Sequence, residues 1–437
     1  MERQIRENWG SRFGAIMSLA GMSFGLGSIW RFPYLAGEYG GGAFVLAYII
    51  VMAALLFPLA LVEMAIGKGM EKGVMNIYED IYHSDAAGRI LGGLSVTVIL
   101  AVNFFFIFIM ALCLYFMFAC ATGLWDSIPP DQLYDNALAN KHLMFALFMT
   151  VCLTVSYIVY RGVSRGIEAL SKKIVPAEII LFTFIAVYAF VTIPDIEVGY
   201  NFYLNPDFHR LASFDLWAAA IGQGLFAVGV GPGCLLVYGS RLGAKSDVSL
   251  TAVNLCLLVL AGSLIAGLAI LPACIALGLD PAGGSRLIFV VLPTLLSQIP
   301  FGNIIGFLLF LAILGCITSA VANLEVPVTT FMDRFNWPRG KTVIAFTLVT
   351  IMFSTPAVYS EEILLFWQQV VGNYGYAITA GIGAASYSWI YGVRKIRENF
   401  INPTGDFRLP SSFDYWMRFG AVPLMIFMLV NSLFQFI

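Results

Sequence analysis

Charge is what this sequence lacks. Only 11% of its 437 residues are Asp, Glu, Lys or Arg, against 59% hydrophobic. Soluble domains carry about 25% charged residues, so there is too little charge here to coat a water-soluble globule of this size. Histidine is nearly absent: His83, His142 and His209 fall in expected loops and share no metal-ligand spacing. The seven cysteines (Cys113, Cys120, Cys152, Cys234, Cys256, Cys274 and Cys316) all lie inside apolar runs and form no CxxC pair. They read as small buried hydrophobes. A net charge of −2 gives no basic surface for nucleic acid. No Walker loop, kinase or hydrolase motif, or metal cluster occurs, so no enzyme activity is expected. A cleavable signal peptide is not expected either. The start, MERQIRENWGSR, is polar, and the apolar run after it is too long for a signal core.

Long hydrophobic runs are what the chain has instead. A membrane-spanning helix needs roughly 20 mostly apolar residues. Eleven runs qualify, at about 12–36, 42–67, 90–124, 142–160, 168–193, 214–239, 247–279, 302–332, 341–356, 362–393 and 413–436. The stretch 282–300 is apolar but short and rich in Pro and Gly, which reads as a re-entrant or surface hairpin. Lys and Arg concentrate on the cytoplasmic side of a membrane protein. With a cytoplasmic N-terminus, 20 of the 24 basic residues fall inside, leaving Arg31, Lys141, Arg210 and Arg286 outside. The expectation is an all-α membrane protein in one transmembrane domain, 1–437. It sits in the plasma (cell inner) membrane, N-terminus cytoplasmic and C-terminus extracytoplasmic.

Two of the runs are interrupted. The first contains Gly21, Gly25 and Gly27, with Ser23 and Ser28 between them; the sixth contains Gly222, Gly224, Gly229, Gly231, Pro232 and Gly233. Sparse glycines in a membrane helix mark close packing. Dense clusters with a proline free backbone groups, which membrane depth tolerates only where they line a cavity or find partners. These runs hold the same place in two successive five-span halves. Paired broken helices in corresponding halves point to an inverted-repeat transporter with its site at the midplane.

The stretch GMSFGLGSIWRFPYLAGEYGGGAF (21–44) strongly resembles the first-helix motif of the neurotransmitter:sodium symporters, the LeuT-like family. The likeness continues through Tyr48, Pro58 and Glu63, RGVSRGIE (161–168), GQGLFAVGVGPG (222–233), Asn254 and ITSAVANLEVPV (317–328). It covers nearly the whole chain in order, as in a divergent prokaryotic-type member. The resemblance implies a LeuT-type fold, a 5+5 inverted repeat plus one extra helix. Repeat one is about 12–193, repeat two about 214–393, and the additional helix about 413–436.

Carried over residue by residue, the resemblance implies one intact sodium site, formed by carbonyls of Gly21, Phe24 and Gly315 and hydroxyls of Thr318 and Ser319. The alternative for the two hydroxyls is a bond back to their own helix. A second ion site falls on Ser23, Ser28, Ala227 and Asn254, where two of the family's side-chain oxygens are changed or gone. Leu258 occupies the position of the family's chloride-related Glu or Ser. The implied cofactor is therefore Na+, one per cycle, with no chloride. The substrate pocket falls on Met22, Gly25, Leu26, Gly27, Val102, Phe106, Phe226, Gly229, Pro232, Ser319 and Asn323. Gly25 stands where monoamine carriers place an aspartate, and Phe106 replaces a tyrosine that bonds amino-acid carboxylates. Asn323 reads equally as a substrate contact or a helix-packing amide. The inner gate maps to Arg6, Trp9, Ser240 and Asp333. The outer gate maps to Arg31, Gln223 and the lid Phe226, with Leu365 in place of an acidic partner. Arg31 is then left to Gln223, the substrate, Glu361 or Glu362. Glu63 is expected to brace the broken ends, and Glu178 has no assigned role.

The expected function is a sodium-coupled symporter that imports an amino acid or related small zwitterionic or anionic solute by alternating access. The alternative is a carrier of the same fold, coupled to one sodium or a proton, for a different solute. A channel would need repeated polar pore-lining helices, and a sensor would need an output domain; neither is visible. Expected partners are the small-molecule substrate and the lipid bilayer, with the chain a monomer or homodimer.

Overall fold

The computed structural model describes residues 7–25, 27–124, 127–280 and 287–436, and among these no strand occurs beyond one isolated bridge, Gly41 to Pro206. Eight helices are long and apolar enough to cross a membrane: Gly42–Met70, Asp85–Thr122, Lys141–Tyr160, Val163–Thr192, Val248–Ala276, Gly302–Phe335, Arg339–Tyr359 and Ser412–Asn431. They are spans two to five, seven to nine and eleven of the eleven sequence runs. Span one is the bent pair Arg12–Ser23 and Gly27–Glu38, whose halves meet at 52°. Span six divides into Phe214–Val228 and Cys234–Gly239, each too short to cross alone. Span ten is the helical stretch 361–401, interrupted at Gly392. The apolar hairpin expected at 282–300 contains a short helix, Leu287–Leu296; residues 281–286 lie outside the described residues.

Span three is the central column. Its apolar stretch is almost entirely enclosed, and Gly93–Thr122 packs against spans four, eight and nine. Around it the two broken spans are gripped by their neighbours. Arg12–Ser23 lies against spans five, seven and eight, and both halves of span six lie along span two. Span eleven packs on Tyr376–Ala385 of span ten, at the edge of the bundle. The outer surface carries Phe184, Val187, Phe190, Leu348 and Met352, all exposed. That is the pattern of a helix bundle whose solvent is hydrocarbon. The three histidines are exposed and all seven cysteines are buried and unbridged, as the sequence implied.

The break in span six has a backbone cause. Gly231 takes φ +110°, and a Cβ there would come within 2.5 Å of the Ala380 nitrogen. Only glycine fits both demands. Its freed N–H donates to Glu63 Oε2 at 2.9 Å, from span two. Glu63 thus supplies the acceptor that the interrupted helix lost.

Candidate functional site

Span one stops being helical where its carbonyls acquire side-chain partners from span eight. Thr318 Oγ1 donates to the Gly21 carbonyl at 2.7 Å and lies 3.1 Å from the Gly315 carbonyl; Ser319 Oγ donates to Gly21 O at 3.0 Å. Thr318 therefore lies within reach of its own helix, the alternative to sodium ligation weighed from the sequence, and also joins span eight to the Gly21 carbonyl of span one. Phe24 is buried, its ring pressed against Gly262. Four of the five expected sodium residues, Gly21, Gly315, Thr318 and Ser319, share one hydrogen-bonded cluster. Carbonyls at a helix break and hydroxyls across from them are oxygen ligands that suit a hard monovalent cation.

Ser319 joins this cluster to the pocket next to it. A Cβ on Gly25 would come within 2.1 Å of Ser319 Oγ and 3.7 Å of the Phe106 ring. On the other side, a Cβ on Gly27 would strike the Phe226 ring at 2.7 Å. Met22 reaches Gly229, and Val102, Phe106 and Pro232 are buried. Of the expected pocket residues, Gly25, Phe106 and Ser319 are thus adjacent, as are Gly27 with Phe226 and Met22 with Gly229; Leu26 lies outside the described residues. Asn323 sends its Nδ2 to Asn103 Oδ1 at 3.4 Å, and Asn103 Nδ2 donates to Ala320 O at 3.2 Å. The packing-amide reading of Asn323 therefore has a partner in span three. Asn103 escaped the sequence reading, although it is the residue after Val102.

The second ion site looks different. Asn254 turns its amide back to its own helix, onto Leu250 O at 2.8 Å, and Ser23 Oγ donates to Val228 O at 3.0 Å. Ala227 is buried and offers no side-chain oxygen, and the Ser28 hydroxyl is buried without a protein partner.

At the end expected to hold the outer gate, Phe226 packs edge-on against Tyr376, with ring centroids 5.0 Å apart, and Arg31 lies over its face at 5.4 Å. A cation over an aromatic face is attractive. Gln223 bonds the Gly27 carbonyl at 2.7 Å, bracing the second half of span one. Leu365 is exposed. Tyr376, which completes the lid contact, carried no signal in the sequence.

The end beside the start of span one is held by a denser polar cluster. Trp9 donates to Tyr238 O at 3.1 Å, and Ser240 Oγ to Val237 O. Arg6 lies outside the described residues, so the expected Arg6–Asp333 pair is not described. Other charges occupy this end. Buried Glu325 accepts from Arg339 Nη2 at 2.5 Å and Thr329 at 2.8 Å, and Arg241 Nη2 stands 3.5 Å away. Arg241 also reaches the Glu7 carbonyl at 3.2 Å. The Glu7 side chain accepts from the backbone of Val163 and Ser164, and Glu168 from that of Gly10. This network ties the start of span one to spans five, six, eight and nine. Its members are scattered over more than three hundred residues; Glu168 and Glu325 lie inside motifs noted above, but nothing local in the sequence pairs them.

This fold, with two broken spans packed at the middle of a helix bundle, defines the class as a membrane transporter. The chain belongs to the sodium:neurotransmitter symporter family, whose sequence model matches residues 6–140 and 135–437. It is 29% identical over 437 residues to an uncharacterised sodium-dependent transporter of Methanocaldococcus jannaschii, covering 94% of this chain and 87% of that one. It is 30% identical over 370 residues to the uncharacterised sodium-dependent transporter YhdH of Bacillus subtilis, covering 83% and 81%. The crystal structure of MhsT in complex with L-phenylalanine matches at a TM-score of 0.87 and 28% identity, over 98% of this chain and 100% of that one. The LeuT-type fold and the multi-pass membrane character follow.

Two substitutions probe this geometry. Gly25→Ala pushes a methyl onto Ser319 Oγ and weakens sodium binding roughly tenfold, the cost of about one displaced oxygen contact; radioactive sodium binding to the purified protein measures it. Glu325→Leu strands two guanidinium groups at the cytoplasmic end and lowers stability by about 3–5 kcal/mol. A thermal melt in detergent reads the loss, and an unchanged midpoint contradicts the assigned network.

Proposed function

We propose that this transporter couples the inward sodium gradient to import of an amino acid, or a related small zwitterion or anion, by alternating access. The observation that carries this reading is the pair of span-eight hydroxyls directed at the Gly21 carbonyl. A bound cation there ties the broken first span to span eight, so ion occupancy and the shape of the pocket are linked through Ser319.

The substrate class rests on charge. Gly25 leaves no carboxylate to receive an amine. The second half of span one begins at Gly27, and the positive dipole end of that half-helix favours an anionic group. MhsT, of the same fold, was crystallised with L-phenylalanine, which supports an amino acid. One feature favours a solute without a carboxylate: Phe106 has no hydroxyl to donate. That keeps a carrier of a different solute as the second reading.

One sodium per cycle and no chloride are the proposed stoichiometry. The supporting observation is the absence of a side-chain oxygen at Ala227. The proposed division is repeat one at 12–193, repeat two at 214–393 and a peripheral last helix. The proposed setting is the cell's inner membrane, N-terminus cytoplasmic and C-terminus outside, with a monomer or homodimer as the working unit. The asymmetry of Lys and Arg supports the orientation.

Reconstituted proteoliposomes test the reading. Saturable amino-acid uptake driven by an imposed sodium gradient is expected, with a sodium Hill coefficient near one, and Thr318→Ala should abolish the sodium-driven component. A coefficient near two contradicts the stoichiometry, and full coupling in the Thr318 variant contradicts the site.

A further inference from the structure

Glu178 lies in span five, in the middle of the bundle, and the site described above does not use it. It is 1% exposed, and neither carboxylate oxygen has a hydrogen-bond partner in the protein. Among the described residues it makes no salt bridge. A carboxylate buried in an apolar environment with no donor and no cation is a costly arrangement, and one at membrane depth usually marks an ion pathway.

Its position indicates which ion. Glu178 stands against Gly315: a Cβ there would come within 2.4 Å of Glu178 Oε1 and 2.7 Å of its Cδ. The Gly315 carbonyl belongs to the oxygen cluster that Thr318 bridges to Gly21. One turn earlier on span five, Val175 packs on the other member of that cluster. A Cβ on Gly21 would meet Val175 Cγ2 at 3.1 Å and Thr318 Oγ1 at 3.2 Å. The same face of span five therefore lies against both glycines. The absence of a side chain at Gly315 makes room for the carboxylate beside the cluster.

We propose that Glu178 is the counter-charge of the sodium site. The carbonyls and hydroxyls of Gly21, Phe24, Gly315, Thr318 and Ser319 are all neutral. A single carboxylate behind Gly315 adds the negative charge that a bound cation lacks there, and the cation supplies the partner that Glu178 lacks. The inference rests on the sodium site assigned above and goes beyond it by adding a residue from a span that contributes none of the five ligands. At an effective dielectric constant of about 20, one unit charge roughly 5 Å away changes cation affinity on the order of a hundredfold.

The test is equilibrium binding of radioactive sodium to the purified full chain, without substrate. Wild type, Glu178→Gln, Glu178→Asp and Thr318→Ala are compared, with folding of each checked by a thermal melt in sodium-free buffer. Glu178→Gln should weaken sodium binding about a hundredfold, whereas Glu178→Asp, which keeps the charge, should stay within about tenfold of wild type. Wild-type affinity in Glu178→Gln overturns the proposal while leaving the sodium site intact. Sodium binding that survives in Thr318→Ala, or is absent from wild type, overturns the underlying site instead. Should Glu178→Gln fail to fold, the wild-type protein decides. Sodium, compared with N-methylglucamine at equal ionic strength, should slow labelling of Glu178 by an apolar carbodiimide, and equal labelling in the two salts overturns the proposal.

Discussion

The Gly21 carbonyl is the constraint on which the rest of the site depends. A carbonyl released from its helix at membrane depth must find another partner, because no bulk water is there to supply one. In this chain the partners are Thr318 and Ser319 of span eight. Once that junction is fixed, Gly25 has to be small, because Ser319 occupies the space its side chain would take. Gly27 has to be small for the same reason on the Phe226 side. The glycines that break span one are also the ones that let spans six and eight close on it.

The two ends of the molecule are held by different forces. One end has aromatic contacts, Phe226 on Tyr376 with Arg31 over the ring, which are individually weak. The other end, beside the start of span one, is held by buried charge, with Glu325 between Arg339 and Arg241. Removing one partner from such a cluster costs far more than losing one ring contact. In the proposed alternating-access cycle, the aromatic end is therefore the easier of the two to open and the charged end the harder.

Much of the fold was legible because hydrocarbon imposes long apolar runs. All eleven have helical counterparts. Spans six and ten are the least regular of them, since Gly229 to Gly233 divide one and Gly392 interrupts the other. The broken helices were legible for a local reason, the density of glycine and proline. The family resemblance then named the sodium residues, and four of them form one cluster. What was not legible depends on side-chain direction. Asn254 is in the expected helix, yet its amide turns to Leu250 O. Asn323 needed Asn103 from a distant span to show its partner. Gln223 bonds the Gly27 carbonyl, a contact that no sequence pattern indicates. Arg241, Glu325 and Arg339 meet only once three spans have packed, so no sequence window contains the cluster.

The central claim is that one cation binds where Gly21, Gly315, Thr318 and Ser319 converge. The most direct measurement is anomalous diffraction from crystals in which thallium(I) replaces sodium. The account predicts a single strong peak among the Gly21 and Gly315 carbonyls and the Thr318 and Ser319 hydroxyls. No peak there, or a peak instead among Ser23, Ser28 and Asn254, contradicts it.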